Sequence, residues 1–444
     1  MYLAAGRSRP PDDPAPARNP SDGPRPARAS SPARPAGRRR LAGTVVALGA
    51  VSLVTDISSE MVTAVLPLYL VLGLGLSPLQ FGFLDGLYNG VTAFVRLAGG
   101  HAADRWQRHR LVAGSGYALS TVCKLGLLLA GSSTAALSTA LAADRVGKGV
   151  RTAPRDALIS LSCDERDLGR AFGVHRAMDT TGALLGPLVA FAVLWVTVDA
   201  YDAVFVVSFC FGLLGVLILV AFVPGRTAAP VRASGTVPAT LGETLRLFRV
   251  AAFRRILAVA TLLGMAGVGD GFLYLVLQKR LGLDVEYFPL LPLGSAAVYL
   301  LLAVPFGRIA DRTGRRVPYL LGHVALLGVY LALFSPVAGW PLTVLVLVLH
   351  GAFYAATDGV LMALGGPVVP ADRRAGGLAL LQTGQGLGRL VASVLFGAVW
   401  TVGGMDTALV VAATALAAVL LVARALLPAA PSPAEPTPTT VPEP

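Results

Sequence analysis

Five carboxylates stand inside long apolar stretches and are the residues best suited to chemistry there. Asp56 and Glu60 lie one helical turn apart, and Asp179, Asp270 and Asp358 follow in later stretches. A carboxyl group in low-dielectric surroundings binds a proton more readily than one in water. We therefore predict that at least one of these five takes up and releases protons. The alternative for each is a permanently ionised group held by a basic partner.

Charged side chains of the segment 144–155 repeat at helical intervals. Asp144, Lys148, Arg151 and Arg155 are spaced by three or four residues, so they share one stripe of a helix. Charge facing lipid is costly, so the stripe is expected to face a cavity or other helices. One structural alternative pairs Asp56 or Glu60 with Arg145 or Lys148. The predicted cavity residues are Arg145, Lys148, Arg151, His175, Gln382 and Arg389.

The elements that position these residues are apolar helices. Hydrophobic residues make up 55% of the 444 residues and charged residues only 14%, against about a quarter charged in soluble domains. The run from Ala325 to Leu349 contains no charged side chain. About 20 apolar residues cross a bilayer core of roughly 30 Å. The composition predicts an all-α polytopic membrane protein.

Twelve membrane spans are predicted, in two six-helix halves at 42–223 and 251–427. A polar linker at 224–250 joins the halves, and tails at 1–41 and 428–444, both rich in Pro, are expected to be disordered. The predicted spans are 43–72, 79–103, 109–131, 134–161, 169–196, 201–223, 251–277, 287–310, 317–336, 340–369, 374–402 and 405–427.

Three repeated strings indicate an internal duplication. The pentapeptide at 68–72 recurs at 273–277, and the charged turn at 165–169 aligns with 372–376. A charged loop around Asp104 recurs around Asp311, 207 positions later. Parallel six-helix repeats with a site at their interface are one plan of secondary transporters.

The net charge of +12 is distributed unevenly along the predicted spans. Lys and Arg concentrate in the segments assigned to the cytoplasm, and Lys279 and Arg280 fall on the other side. This bias predicts that both termini are cytoplasmic. Attraction to anionic lipids explains the excess charge, so no nucleic-acid partner is expected.

The duplicated charged loops have the composition of a conformational latch. A late glycine permits close helix approach, an aspartate accepts hydrogen bonds at a helix N-terminus, and arginines hold helix ends together. The alternative is a solvated basic loop that only sets topology. The latch residues are Gly100, Asp104, Arg105 and Arg108 in the first half and Gly307, Asp311, Arg312, Gly314 and Arg315 in the second.

These loops resemble the loop motif of the major facilitator superfamily, although Gln107 replaces a glycine in the first copy. Arg145 followed by Gly149 resembles the fourth-helix motif of that superfamily, which is often linked to proton coupling. Gly182, Gly186 and Pro187 resemble the fifth-helix motif of its antiporters, with plain helix packing as the alternative.

The resemblance implies a bacterial transporter in the cytoplasmic membrane that works by alternating access. Proton-coupled efflux of a small organic molecule by a monomer is the expected function. Uptake of an anionic solute is one alternative, and a transport-dead sensor is another. The sequence contains no nucleophile, phosphate-loop or metal-ligand pattern, so no enzyme activity, cofactor or metal is expected.

Overall fold

A computed structural model describes residues 43–88, 90, 91, 95, 109–163, 167–198, 200–224, 246–336, 339–370 and 374–427. No β-strand occurs among these residues. Both predicted tails, most of the linker, and Gly100, Asp104, Arg105 and Arg108 of the first loop lie outside them.

The described residues between 43 and 224 form six helices. Helix α1 is continued by a π-helical turn at Tyr69–Gly73, and it packs against α5 and α6. Helix α3 packs against α4 and α6. The helices are α1 (Gly43–Leu68), α2 (78–88), α3 (His109–Leu129), α4 (Thr134–Leu161), α5 (Leu168–Thr197) and α6 (Tyr201–Phe222).

The residues from 246 to 427 repeat much of this pairing in more broken helices. Helix α7 packs against α13, and α11 packs against α9 and α10. Helix α13 is interrupted at Gly404, whose φ of 85° is not helical. The helices are α7 (Ala251–Ala266), α8 (Asp270–Leu281), α9 (Leu290–Thr313), α10 (Arg316–Phe334), α11 (Trp340–Thr357), α12 (Val360–Gly365) and α13 (Arg374–Leu426).

Nine helical segments of the described chain are long and apolar enough to cross a membrane. The last of them, Gly376–Leu426, contains the break at Gly404 and so covers two predicted spans. Helix α4 is not among the nine and carries the charged stripe, while the second predicted span is described only in part. The prediction of an all-α polytopic membrane protein is confirmed, and the number twelve stays a prediction.

Glycines allow close helix contacts in corresponding places of the two halves. A Cβ atom at Gly182 of α5 would lie 2.3 Å from the carbonyl oxygen of Leu53 in α1. A Cβ atom at Gly388 of α13 would lie 2.5 Å from the carbonyl oxygen of Thr261 in α7. Both positions require a residue without a side chain, because only then do the two backbones approach this closely.

Two helix breaks place carboxylates at the middle of the fold. The segment between α7 and α8 leaves helical geometry, and its Val268 backbone N–H donates to Tyr330 Oη at 2.8 Å. Asp270 begins α8 immediately after this break. Asp358 follows α11, and Gly359 behind it has a φ of 76° that favours glycine.

Candidate functional site

The charged stripe of α4 faces neighbouring helices, as its spacing predicts. Lys148 Nζ lies 3.6 Å from Glu60 Oε1, and Arg151 Nη2 lies 3.5 Å from Asp56 Oδ1. Both carboxylates belong to α1. Pairing of Glu60 with Lys148 was one sequence-based alternative, whereas Asp56 takes Arg151 rather than Arg145 or Lys148.

Asp144 is the centre of a buried ion cluster between α3 and α4. Its carboxylate accepts from Lys124 Nζ at 3.1 Å, from Arg145 Nε at 3.0 Å and from the Ser120 hydroxyl. The Arg145 guanidinium also lies 3.9 Å from the ring centre of Tyr88. Each of the three charged side chains is less than 10% exposed. Arg145 is therefore held inside the bundle by a carboxylate that it shares with Lys124.

Asp56 and Asp179 meet across the interface of α1 and α5. Their carboxyl groups lie close enough to interact, and two carboxyl groups that share a low-dielectric site favour a state in which one of them carries a proton. Arg155 Nη1 lies 3.7 Å from Asp179 Oδ1, one turn of α4 beyond the Arg151 contact of Asp56. The structure thus brings the two first-half carboxylates of α1 and α5 together beside two arginines of α4.

His175 of α5 lies beside this pair without joining it. Its Nε2 is 2.9 Å from the Ser52 hydroxyl, and its side chain is buried. Among the described residues, no group of three or more potential ligands could hold a metal ion.

A second polar cluster surrounds Asp270 at the start of α8. The Tyr354 hydroxyl lies 2.8 Å and 2.6 Å from its two carboxylate oxygens, and His350 Nε2 lies 3.3 Å from Oδ1. On its other side, His350 Nδ1 lies 3.2 Å from Ser295 Oγ and 3.3 Å from Tyr274 Oη. Sequence reasoning missed both tyrosines, because a tyrosine in an apolar helix carries no signal that distinguishes it from a packing residue.

A central cavity of about 390 Å³ opens beside this cluster. Of the sequence-predicted residues, Glu60, Asp270, Asp358 and Arg389 line it. Asp358 accepts a hydrogen bond from the Tyr299 hydroxyl at 3.1 Å. The remaining predicted residues lie outside its lining: Asp56, Asp179, Arg145, Lys148, Arg151, His175 and Gln382.

The second charged loop connects α9 to α10. Arg315 Nη1 donates to the carbonyl oxygen of Ala363 at 2.7 Å and so ties this turn to α12. Gly314 has a φ of 83° and ends α9. Asp311 and Arg312 are exposed, and a Cβ atom at Gly307 would meet no described atom within 4 Å. The arginine contact is thus the one latch interaction found among these residues, and the close helix contact expected at Gly307 is not seen.

The two halves meet at the end of the bundle where α1 finishes and α2 begins, here called the closed end. The Leu79 backbone N–H donates to Thr401 Oγ1 at 3.1 Å, and deeper in the bundle Ser393 Oγ donates to Asp85 at 2.5 Å. Phe191 and Tyr287 also contact each other, with ring centres 5.9 Å apart.

A family model described as the Major Facilitator Superfamily matches residues 48–298 and 272–443. The chain belongs to the major facilitator superfamily. Its membership, together with the relatives below, identifies a membrane transporter rather than an enzyme. Residues 49–223 and 251–427, which contain both clusters and the cavity, fall within the matched ranges.

Two relatives align over most of their length with this superfamily member. An uncharacterised MFS-type transporter of Methanocaldococcus jannaschii is 28% identical over 374 residues, covering 82% of this chain and 90% of the relative. An uncharacterised protein of Mycobacterium tuberculosis is 27% identical over 376 residues, covering 84% of this chain and 90% of the relative.

Solved transporter structures share the fold of this superfamily member at low sequence identity. The nucleoside transporter NupG superposes with a TM-score of 0.73 at 15% identity, covering 86% of this chain and 98% of that chain. A POT family transporter in complex with 5-aminolevulinic acid superposes with a TM-score of 0.72 at 12% identity, covering 88% and 97%. At these identities the likeness shows the fold alone.

Proposed function

We propose that this membrane transporter is a proton-coupled exporter of a small organic molecule that works by alternating access. The central cavity receives the solute, and the carboxyl pair of Asp56 and Asp179 carries the proton. Movement of the two halves exposes both sites first to one side of the membrane and then to the other.

The close approach of Asp56 and Asp179 at the contact of α1 with α5, each beside an arginine of α4, is the observation that carries this proposal. A proton held between two carboxyl groups neutralises one charge at the contact of α1 with α5. Loss of that proton leaves two like charges in contact, which repel strongly in a low-dielectric surrounding. Arg151 lies beside Asp56 and Arg155 lies beside Asp179, so each arginine would attract one of the separated carboxylates. Proton binding is thereby linked to the packing of α1 against α5.

The glycine pair of α5 lies at this same helix contact. Gly182 packs against Leu53, and a Cβ at Gly186 would lie 2.7 Å from Cβ of Glu60. Small residues at these positions allow α5 to follow α1 closely. The antiporter-like motif, including Pro187, therefore supports an interface through which the protonation state of the pair acts on helix position.

Uptake of an anionic solute is the weaker alternative. That alternative depended on Arg145, Lys148 and Arg151 attracting the solute. Each of the three faces a carboxylate within the bundle and lies outside the cavity lining. Free positive charge for an anion is thus scarce along the described cavity.

The proposed setting is a bacterial cytoplasmic membrane with both chain ends on the cytoplasmic side and a monomer as the working unit. The distribution of Lys and Arg along the sequence supports this orientation.

The test is solute-driven pH change in proteoliposomes, screened across drugs, sugars, amino acids and siderophores. For a transported solute, Asp56→Asn and Asp179→Asn are expected to abolish proton movement while solute exchange without a gradient continues. Asp284→Asn, an exposed loop carboxylate, is the matched control and should leave coupling intact. Proton movement that survives both substitutions would refute the assignment of Asp56 and Asp179 as proton carriers. Solute movement in the same direction as the protons, driven by an imposed inward proton gradient, would refute export.

A further inference from the structure

We infer that the central cavity binds an organic cation, with Asp270 and Asp358 as the anionic groups that attract it. This inference rests on the proposed function in one respect, namely that the cavity is the substrate site. It adds the chemical class of the substrate, which neither the family nor the relatives specify.

Negative charge dominates the described lining of the cavity. Four carboxylates, those of Glu60, Asp85, Asp270 and Asp358, line it, and Arg389 is the one Lys or Arg side chain found there. Lys148 Nζ lies 3.6 Å from Glu60 Oε1 and balances the negative charge of Glu60. The lining therefore keeps more carboxylates than cations.

The contacts of Asp270 and Asp358 leave their negative charge largely in place. Tyr354 donates a hydroxyl hydrogen bond to Asp270, and Tyr299 donates one to Asp358. A hydroxyl donor orients a carboxylate without cancelling its charge, which an ammonium ion cancels. The side chain of Asp270 is 47% exposed and Asp358 is also exposed, so both can be reached from the cavity.

A buried imidazole also contacts Asp270. Nε2 of His350 lies 3.3 Å from Asp270 Oδ1 without the geometry of a hydrogen bond, and the side chain is 1% exposed. The residues around this ring, Tyr274, Ser295 and Tyr354, all line the cavity. The carboxylate of Asp270 is thus held by Tyr354 and keeps capacity for a donor arriving from the cavity.

Aromatic rings supply the second part of a cation site. Tyr274, Tyr299, Phe353 and Tyr354 belong to the lining. The face of an aromatic ring attracts a cation, and the attraction grows when water is excluded. Carboxylates set among such rings favour an organic ammonium or phosphonium ion over a sugar or an anion.

Arg389 reduces the repulsion among the carboxylates of the empty cavity. Its guanidinium lies 5.9 Å from the ring centre of Tyr354, the residue that binds Asp270. One internal cation thereby offsets part of the carboxylate charge when the cavity is empty. The remaining charge is available to the solute.

The test compares probes of matched shape and different charge on the purified full-length protein in detergent. Tetraphenylphosphonium and tetraphenylborate share one shape with opposite charge, and choline has 3,3-dimethylbutanol as its neutral counterpart. Equilibrium dialysis should show saturable binding of at least one cation and weaker binding of its partner by at least about thirtyfold. Asp358→Asn and Asp270→Asn should each weaken cation binding, while Asp284→Asn should not.

Cation binding to the cavity and proton coupling can be lost independently of each other. Equal or tighter binding of tetraphenylborate, or no saturable binding of either cation, overturns the inference. Undiminished cation binding in both Asp358→Asn and Asp270→Asn overturns it as well. Because dialysis needs no proton gradient, loss of coupling with intact cation binding counts against the proposed function alone.

Discussion

Several embedded charges of this protein are held in pairs that join different helices. Asp144 binds Lys124 of α3, Asp56 of α1 lies beside Arg151 of α4, and Asp179 of α5 lies beside Arg155 of α4. Such pairs recover part of the cost of removing charge from water, but removal of one member leaves the other uncompensated. The pairing makes single residues decisive for the packing of whole helices.

Replacement of Asp144 by asparagine is expected to destabilise the protein severely. The substitution leaves Lys124 and Arg145 buried without their carboxylate, which costs about 3–5 kcal/mol for a buried pair. A thermal unfolding curve of the detergent-solubilised protein should show a large fall in Tm. Asp284→Asn, on an exposed loop, should leave Tm unchanged, and equal curves for the two variants would contradict the importance of the cluster.

The helices differ in where glycines allow close contacts and where the helical geometry is interrupted. Helices α1 and α5 stay close because Gly182 has no side chain, whereas α7 and α8 form one broken span whose gap is closed by Tyr330. The first feature fixes an interface, and the second satisfies backbone groups that a continuous helix would satisfy itself.

Gly182→Ala is expected to push α5 away from α1. The added methyl group would lie 2.3 Å from the Leu53 carbonyl oxygen, and overpacking of this kind costs about 1–3 kcal/mol. Gly173→Ala in the same helix is the control, because a Cβ there meets no described atom within 4 Å. A lowered Tm in Gly182→Ala alone is predicted, and equal melting of both variants would refute the close contact.

Tyr330→Phe is expected to destabilise the protein at the helix break between α7 and α8. The phenylalanine ring fills the same space but leaves the Val268 backbone N–H without its acceptor, at a cost of about 1–3 kcal/mol. Tyr319→Phe in the same helix is matched, because the buried Tyr319 hydroxyl has no hydrogen-bond partner among the described residues. Thermal unfolding should show a lower Tm for Tyr330→Phe than for Tyr319→Phe. An equal fall in Tm for the two variants would contradict the role of the Tyr330 hydroxyl.

At the scale of the whole molecule, contacts at the closed end join the two halves. Leu79 of α2 and Thr401 of α13 lie in hydrogen-bond contact there. Alternating access requires such contacts to open in part of the cycle, since a site that faces both sides in turn must lose one closure to gain the other.

A disulfide across the closed end is expected to stop transport reversibly. Leu79→Cys with Thr401→Cys, in a background without the three native cysteines, should form a bridge on oxidation and abolish solute exchange until it is reduced. Ser58→Cys with Ser208→Cys, whose hydroxyl oxygens lie 3.0 Å apart between α1 and α6, bridges a single half and should leave exchange intact. Full exchange with the oxidised closed-end pair would show that these contacts need not open.

Composition and residue spacing are enough to predict the class of fold and the orientation of the α4 stripe. Apolar run length and scarcity of charge are properties of the chain alone, so the all-α membrane protein follows from composition. Helical spacing likewise places Asp144, Lys148 and Arg151 on one face of α4. Because charge that faces lipid is costly, that face is expected to point into the bundle. The family resemblance of the charged loops pointed to the superfamily that the whole-chain match then showed.

The partners of each polar side chain depend on how the helices pack against one another. Periodicity gives the face of a helix but neither its rotation against a neighbour nor its depth in the bundle. The pairing of Asp56 with Asp179 and Arg151, and the separation of the α4 cations from the cavity, therefore could not be read from spacing. The tyrosines around Asp270 were missed for the same reason, because a side chain becomes part of a site when distant helices bring it beside a charge.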